Sequence, residues 1–279
     1  MSIEERRVEV GGSSTRYLIA GEGPPLVLLH GIGTSALEWN RTMPALARRR
    51  SVYAPDLLQP ERGSDHAGYS PASLAGFVAE FMNALGIERA SIVGNSLGGL
   101  VALRFALSHP SRMDALGLVD SAGLGQEINP VLSSATLPGL GEAAIYWAKT
   151  PIGAAQRALV RTPLLLALPS SAPPEWLAEQ YRLGLASGFM ETTRVALRSH
   201  VSPIGQRESE ILLEELFRLE MPTLVVWGES DRVVPLHQAH DAVARLRNGS
   251  MEILPGCGHL PHIECPNRFA EVLSRFLDG

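Results

Sequence analysis

One short run constrains the fold of this chain more than any other. Ser91 to Ala106 reads SIVGNSLGGLVALRFA, an apolar strand that passes through Gly94-Asn95-Ser96-Leu97-Gly98-Gly99 into an apolar helix. A serine at such a junction takes a strained backbone conformation that lifts its side chain clear of the sheet. The residues two before and two after it then crowd each other and must be small, which Gly94 and Gly98 are. The helix that follows points its positive end at Ser96 and favours negative charge developing there. Read without its context, the string could be a strand-to-helix turn with a capping serine. The flanking segments decide against that.

Short β-rich runs alternate with helical stretches along most of the chain. Val8-Glu9-Val10 and the run from Thr15 to Ala20 read as an antiparallel pair split by Gly11-Gly12. Pro24 to His30 is a continuous apolar run, as a strand buried on both faces should be. Ser51 to Pro55, Ala90 to Gly94, Ala115 to Asp120, Pro222 to Gly228 and Ser250 to Gly256 complete the strands. Helices are expected over 70–87, after Ser96 as far as Pro110, and at the C-terminal end after Pro266. The pattern predicts an α/β fold with a mostly parallel, eight-stranded sheet flanked by helices. The stretch from about Ser121 to Glu220 breaks the rhythm: it is rich in Pro and Leu and reads as helices and loops. The expected organisation is a core domain in two parts, 1–121 and 220–279, with an inserted α-helical cap over 122–219.

The 279 residues carry a net charge of −5, which offers no basic face to nucleic acid. No apolar run is long enough to span a bilayer, so no membrane insertion is expected. The charged start, Met1 to Val10, lacks the apolar core of a secretion signal. Cys257 and Cys265 are the only cysteines, too few for a disulfide framework or a zinc site, so a reducing cytoplasm is the simple reading. The expected partner is a small-molecule substrate, with the chain a monomer or homodimer.

A serine nucleophile needs a base, and the base an orienting acid. Asp231 stands in the turn Gly228 to Pro235 after one predicted strand, and His259 in the loop after the next. In a parallel sheet those strand ends gather on the edge where Ser96 lies. The order Ser96, Asp231, His259, together with Leu28 to Gly33 (LLHGIG), GNSLGG, WGESDRVVP and GCGHLPHIECP, resembles the α/β-hydrolase superfamily, in its serine-nucleophile branch. The resemblance covers nearly the whole chain outside the predicted cap. It implies a catalytic triad of Ser96, Asp231 and His259. It also implies an oxyanion hole built from the backbone N–H groups of Ile32 and Leu97. Gly31, Gly33, Val233 and Leu260 are the expected substrate contacts, and neither a metal nor an organic cofactor is implied.

Rival readings attach to several residues. Asp120 ends a strand and is a second candidate for the acid. His30, His237 and His262 read as structural or surface histidines, and Cys257 as a small packing residue. Trp39, Trp147 and Trp176 read as core aromatics that could also line a pocket. Gly31 to Ala36 also spells a dinucleotide-binding pattern, with Asp56 about 20 residues on. That reading leaves Ser96, Asp231 and His259 without a role.

Serine as nucleophile points to an acyl-enzyme, and the main expectation is hydrolysis of a moderately hydrophobic carboxylic ester. The alternative is a carbon–carbon bond hydrolase: GNSLGG and GCGHLPHIE resemble the meta-cleavage product hydrolases, which split vinylogous 1,5-diketones. Their cap supplies an arginine for the dienoate, for which Arg182, Arg194 and Arg198 are candidates here. A cofactor-free oxygenase and a non-catalytic ligand-binding protein on the same scaffold are further readings.

Overall fold

A computed structural model of the chain describes residues 2–59 and 66–279. Strands run in the order β1 (Glu4–Val10), β2 (Ser13–Ala20), β3 (Pro25–Leu29), β4 (Ser51–Pro55), β5 (Ala90–Asn95), β6 (Met113–Val119), β7 (Val201–Ser202), β8 (Gly205–Gln206), β9 (Thr223–Gly228) and β10 (Gly249–Leu254). Among the described residues eight of them form one sheet, ordered β1-β2-β4-β3-β5-β6-β9-β10. β1 and β2 are antiparallel, joined at Gly11-Gly12, both with positive φ, and β2 pairs antiparallel with β4. From β4 to β10 every neighbouring pair is parallel. This is the predicted α/β sheet.

The helices are α1 (Met43–Leu46), α2 (Pro71–Ala84), α3 (Leu97–Ser108), α4 (Pro130–Ser134), α5 (Leu140–Ala148), α6 (Pro151–Leu165), α7 (Pro174–Leu185), α8 (Phe189–His200), α9 (His237–Arg245), α10 (Pro261–Glu264) and α11 (Pro266–Asp278). Successive side chains of a strand point to opposite faces, so a doubly covered strand feeds two cores. Val27 and Leu29 of β3 join Phe77 and Phe81 of α2 and Leu100 and Phe105 of α3 on one side. Leu26 and Leu28 join Trp39, Met43 and Phe269 on the other. All six residues of β5 are buried, which makes it the rigid centre of the sheet.

Helices α4 to α8 fall between β6 and β9. The helical stretch from Leu140 to Leu165 is split into α5 and α6. Pro151 cannot continue a helix but suits its first turn, and Thr150 caps α6 by accepting the Gly153 N–H. The two-residue hairpin β7–β8 is an addition to the helical expectation for this region. No helix among the described residues is long and apolar enough to cross a membrane.

One expectation is overturned, and one rival reading finds no support. Cys257 and Cys265 are joined by a disulfide rather than left apart, with Cα atoms 6.9 Å from each other. The loop after β10 turns through the single-turn helix α10 and returns to its starting point, so the closeness in sequence becomes closeness in space. The glycine-rich loop after β3 leads into a 3-10 turn, Ala36–Trp39, and the four-residue α1, so no long helix follows to cradle a pyrophosphate. Asp56, the ribose candidate, instead accepts the Ala36 N–H and pairs with Arg16.

Candidate active site

Ser96 sits between β5 and α3 with φ 55° and ψ −118°, one of two non-glycine residues with positive φ among those described. A Cβ on Gly94 would run into the backbone of Gly98, and one on Gly98 into the carbonyls of Leu29 and His30. The crowding expected around the serine is therefore what holds α3 tight against β3. Leu97 opens α3, so its N–H has no acceptor inside the helix. The Ile32 N–H has no hydrogen-bond partner among the described residues either, and Gly33 beside it has φ 71°. Two free backbone donors thus flank Ser96.

Asp231 and His259 meet at the same sheet edge. His259 Nδ1 lies 2.9 Å from Asp231 Oδ2, and both side chains are buried. Asp231 Oδ1 accepts the N–H groups of Val233 and Val234, which fixes the carboxylate on its turn. The His259 backbone is tied down twice, through its N–H to Leu165 O and through its carbonyl to Asn95 Nδ2. Ser96 and His259 line one cavity but share no hydrogen bond in the structure. Such contacts are often long until substrate closes a site.

The cavity measures about 30 Å³ and is also lined by Gly31, Ile32, Val233 and Leu260. Three of the four anticipated contact glycines and hydrophobes thus reach it as Gly31, Val233 and Leu260. Gly33 does not, because two arginines lie over it. A larger cleft of about 580 Å³ opens on the surface and shares only Thr34 with the cavity.

Those arginines, Arg157 and Arg161 of α6, were not among the candidates. Arg157 donates to Gly33 O (2.7 Å) and Gln180 O (2.8 Å), and Arg161 to Ile32 O (3.1 Å). Arg161 Nε is shut away from solvent without a partner. Among the described residues no carboxylate pairs with either guanidinium. Burial pulls the Arg161 guanidinium down to about 10 despite the charge of Glu38, and burial plus Arg161 hold Arg157 well below its ordinary value. The sequence signal was present only as two arginines four residues apart on an otherwise apolar helix, a spacing that places them on one face. The arginines considered from the sequence point elsewhere: Arg182 pairs with Glu179, and Arg194 and Arg198 pair with Glu142.

Glu38 is another cavity residue that sequence reasoning passed over. It accepts the Gly31 N–H at 3.0 Å and stands 3.5 Å from His262, whose ring stacks on Trp39. Burial pushes the Glu38 carboxyl up, but the hydrogen bond and charge of His262 leave it below its usual range. Of the tryptophans, Trp176 lines the cavity, Trp39 is fully buried and Trp147 lies half-exposed with its indole N–H on Gln156. His30 is structural, with Nε2 accepting the Leu57 N–H and Nδ1 against Gly31 O. His237 lies on the exposed start of α9 near Glu127.

Comparison with known proteins agrees with this geometry. The sequence profile of the alpha/beta hydrolase fold matches residues 24–266. The chain is 30% identical to a 2-hydroxymuconate semialdehyde hydrolase of Pseudomonas sp. (strain CF600), over 98% of this chain and 93% of that one. It is 31% identical to a 2-hydroxy-6-oxo-6-(2'-aminophenyl)hexa-2,4-dienoic acid hydrolase of Metapseudomonas resinovorans, over 98% and 90%. The solved structure of a 2-hydroxy-6-oxo-6-phenylhexa-2,4-dienoate hydrolase from Rhodococcus sp. strain RHA1 superposes with a TM-score of 0.82 at 26% identity, covering 100% of this chain and 99% of that one. With its doubly covered sheet, its strained serine between β5 and α3 and its profile match over most of its length, the chain belongs to the α/β-hydrolase fold family.

Proposed function

We propose that the chain is a carbon–carbon bond hydrolase of the meta-cleavage product type, with Ser96, His259 and Asp231 as its triad and the helices of 122–219 as its cap. The observation that carries this reading over ester hydrolysis is the pair Arg157 and Arg161. A guanidinium placed beside a nucleophile without a carboxylate partner is costly unless an anion completes it. The dienoic acids named for its relatives are such anions.

In this reading His259 takes the Ser96 proton, and Asp231 holds the imidazole in the tautomer with hydrogen on Nδ1. Ser96 Oγ attacks the ketone carbonyl, whose oxygen takes negative charge between the N–H groups of Ile32 and Leu97. The substrate reacts as its vinylogous 1,5-diketone tautomer, with the 2-hydroxyl proton moved to C5, so that when the C5–C6 bond breaks its electron pair spreads through the C3=C4 double bond to the C2 oxygen as a dienolate, where the charge of Arg161 favours it. His259 returns the proton to the leaving carbon. Water, activated by the same histidine, then releases the acid from Ser96.

The test is steady-state kinetics on a 2-hydroxy-6-oxo-hexa-2,4-dienoate and on p-nitrophenyl esters. The dienoate is expected to be the better substrate by kcat/KM, and Ser96→Ala to lose turnover of both. Arg161→Gln is expected to raise KM for the dienoate about tenfold or more, the worth of a charged hydrogen bond, and to leave the neutral ester little changed. An enzyme that prefers esters and ignores Arg161→Gln is an esterase, and the carbon–carbon reading is then lost.

A further inference from the structure

We infer that Asp120 is a second acid of this site, a carboxylic acid that keeps its proton and donates it in a hydrogen bond to Asp231. This rests on the triad reading and adds a residue to it.

Asp120 follows β6 with φ 44°, a left-handed conformation that aspartate and asparagine tolerate better than other side chains. Its N–H bonds to Val226 O, and its Oδ1 accepts the Gly228 N–H at 2.8 Å, which stitches β6 to the end of β9. Its Oδ2 is buried and has no hydrogen-bond partner among the described residues, which leaves it as the oxygen free to carry a proton. One ligating atom each from Asp120, Asp231 and His259 lies within 4.8 Å of the others.

Two carboxylates this close, out of water, do not both ionise beside a neutral imidazole. The donors decide which one keeps the proton. Asp231 receives two backbone N–H groups and the His259 Nδ1–H. Asp120 receives one backbone N–H, on one oxygen. Burial, then the charge of Asp231, pushes the Asp120 carboxyl well above the usual carboxylate range, and the charge of Glu264 on α10 adds to it. The groups facing Asp120 are thus Asp231 from the turn after β9, His259 from the loop after β10, and Glu264. A proton on Asp120 Oδ2 would be shared with the Asp231 carboxylate, one of whose oxygens lies within 4.8 Å of an Asp120 oxygen. Its hydrogen bond orients Asp231 and draws charge from it, so Asp120 is a positioning residue that acts on His259 through Asp231.

The experiment compares Asp120→Asn with wild type. Asparagine keeps the left-handed backbone, the acceptor for Gly228 and a donor for Asp231, and it carries no charge. The infrared difference spectrum at pH 7 is expected to show a protonated-carboxyl band in wild type that Asp120→Asn removes. The acid limb of the kcat/KM–pH profile is expected to stay in place, because a neutral group replaces a neutral group. Asp120→Ala, which lacks the donor, is expected to lower kcat about tenfold, with Asp120→Asn recovering most of the loss. If that variant does not fold, the band and the limb still decide. Absence of the band, or an acid limb displaced by roughly one unit toward low pH as His259 loses an anionic neighbour, overturns the proposal. The band needs no turnover. A Ser96→Ala protein that still turns over substrate defeats the triad while leaving the band, and a missing band defeats the second acid while leaving the triad.

Discussion

At the residue scale, the site is a set of backbone positions that only certain side chains can occupy. Gly98 has little freedom, since any Cβ there meets the carbonyls of both Leu29 and His30. Neither carbonyl can yield, because β3 is locked between β4 and β5. Gly98→Ala is therefore expected to cost at least about 2 kcal/mol in a urea melt and to cut kcat as α3 and the Leu97 N–H shift. A fully stable, active variant would mean that the elbow has slack absent from this geometry. This crowding was legible from the sequence because it is local: it depends on residues two positions apart and on one strand-to-helix turn. The pairing of Asp231 with His259 was legible for a related reason, since each follows a strand of one parallel sheet. Arg157, Arg161 and Glu38 were not legible, because their roles come from where α6 and the 3-10 turn at Ala36–Trp39 are laid over the Gly31–Gly33 loop. No spacing in the sequence encodes that placement.

At the scale of the element, α6 buries Ala154, Ala158 and Leu165 and yet leaves other large apolar side chains outside. Ile152, Leu159 and Val160 face solvent, while Arg157 and Arg161 face the Gly31–Gly33 loop. The sequence marks this stretch as helical, but the ordinary rule for its faces would put both arginines in solvent, whereas the carbonyls of Ile32 and Gly33 turn them inward. α8 holds a different buried base. His200 near its end is shut from solvent with Nδ1 against Ala196 O. Burial, aided by Arg207, pulls its imidazole down to about 4. A base depressed in the folded state stays neutral there while the unfolded chain takes up a proton below about pH 6.5. Its contribution to stability is complete above that value and is lost as pH falls from about 6.5 to 4, amounting to about 3 kcal/mol. Urea melts of wild type across that window should lose this much more stability than those of His200→Gln, which keeps a donor but does not titrate. Parallel curves for the two proteins would place the acid sensitivity elsewhere.

At the scale of the whole molecule, the two halves of the structure are held by different means. The sheet carries two cores, one on each face, and its central strand β5 is buried throughout. The helices over the site leave large apolar side chains in water, with Tyr146 at 82% and Ile152 at 65% exposure, and so gain less from burial. A cavity of about 30 Å³ has room for a water molecule or two and not for a dienoate. Under the proposed function, substrate access requires α6 and its neighbours to part from the Gly31–Gly33 loop, a separation resisted by two hydrogen bonds, from Arg157 to Gly33 O and from Arg161 to Ile32 O. Native-state hydrogen exchange reads this directly. Amides of α5 and α6 are expected to exchange through local openings of lower free energy than those of β3, β5 and β6. A non-hydrolysable dienoate analogue should slow α6 in particular, because its carboxylate would pair with Arg161, whose Nε has no partner among the described residues. Exchange in α6 as slow as in β5, unchanged by the analogue, would move the access route to the Thr34 side of the cavity, where the larger surface cleft begins. The two outcomes separate a site that opens by lifting its helices from one that is fed along the sheet edge.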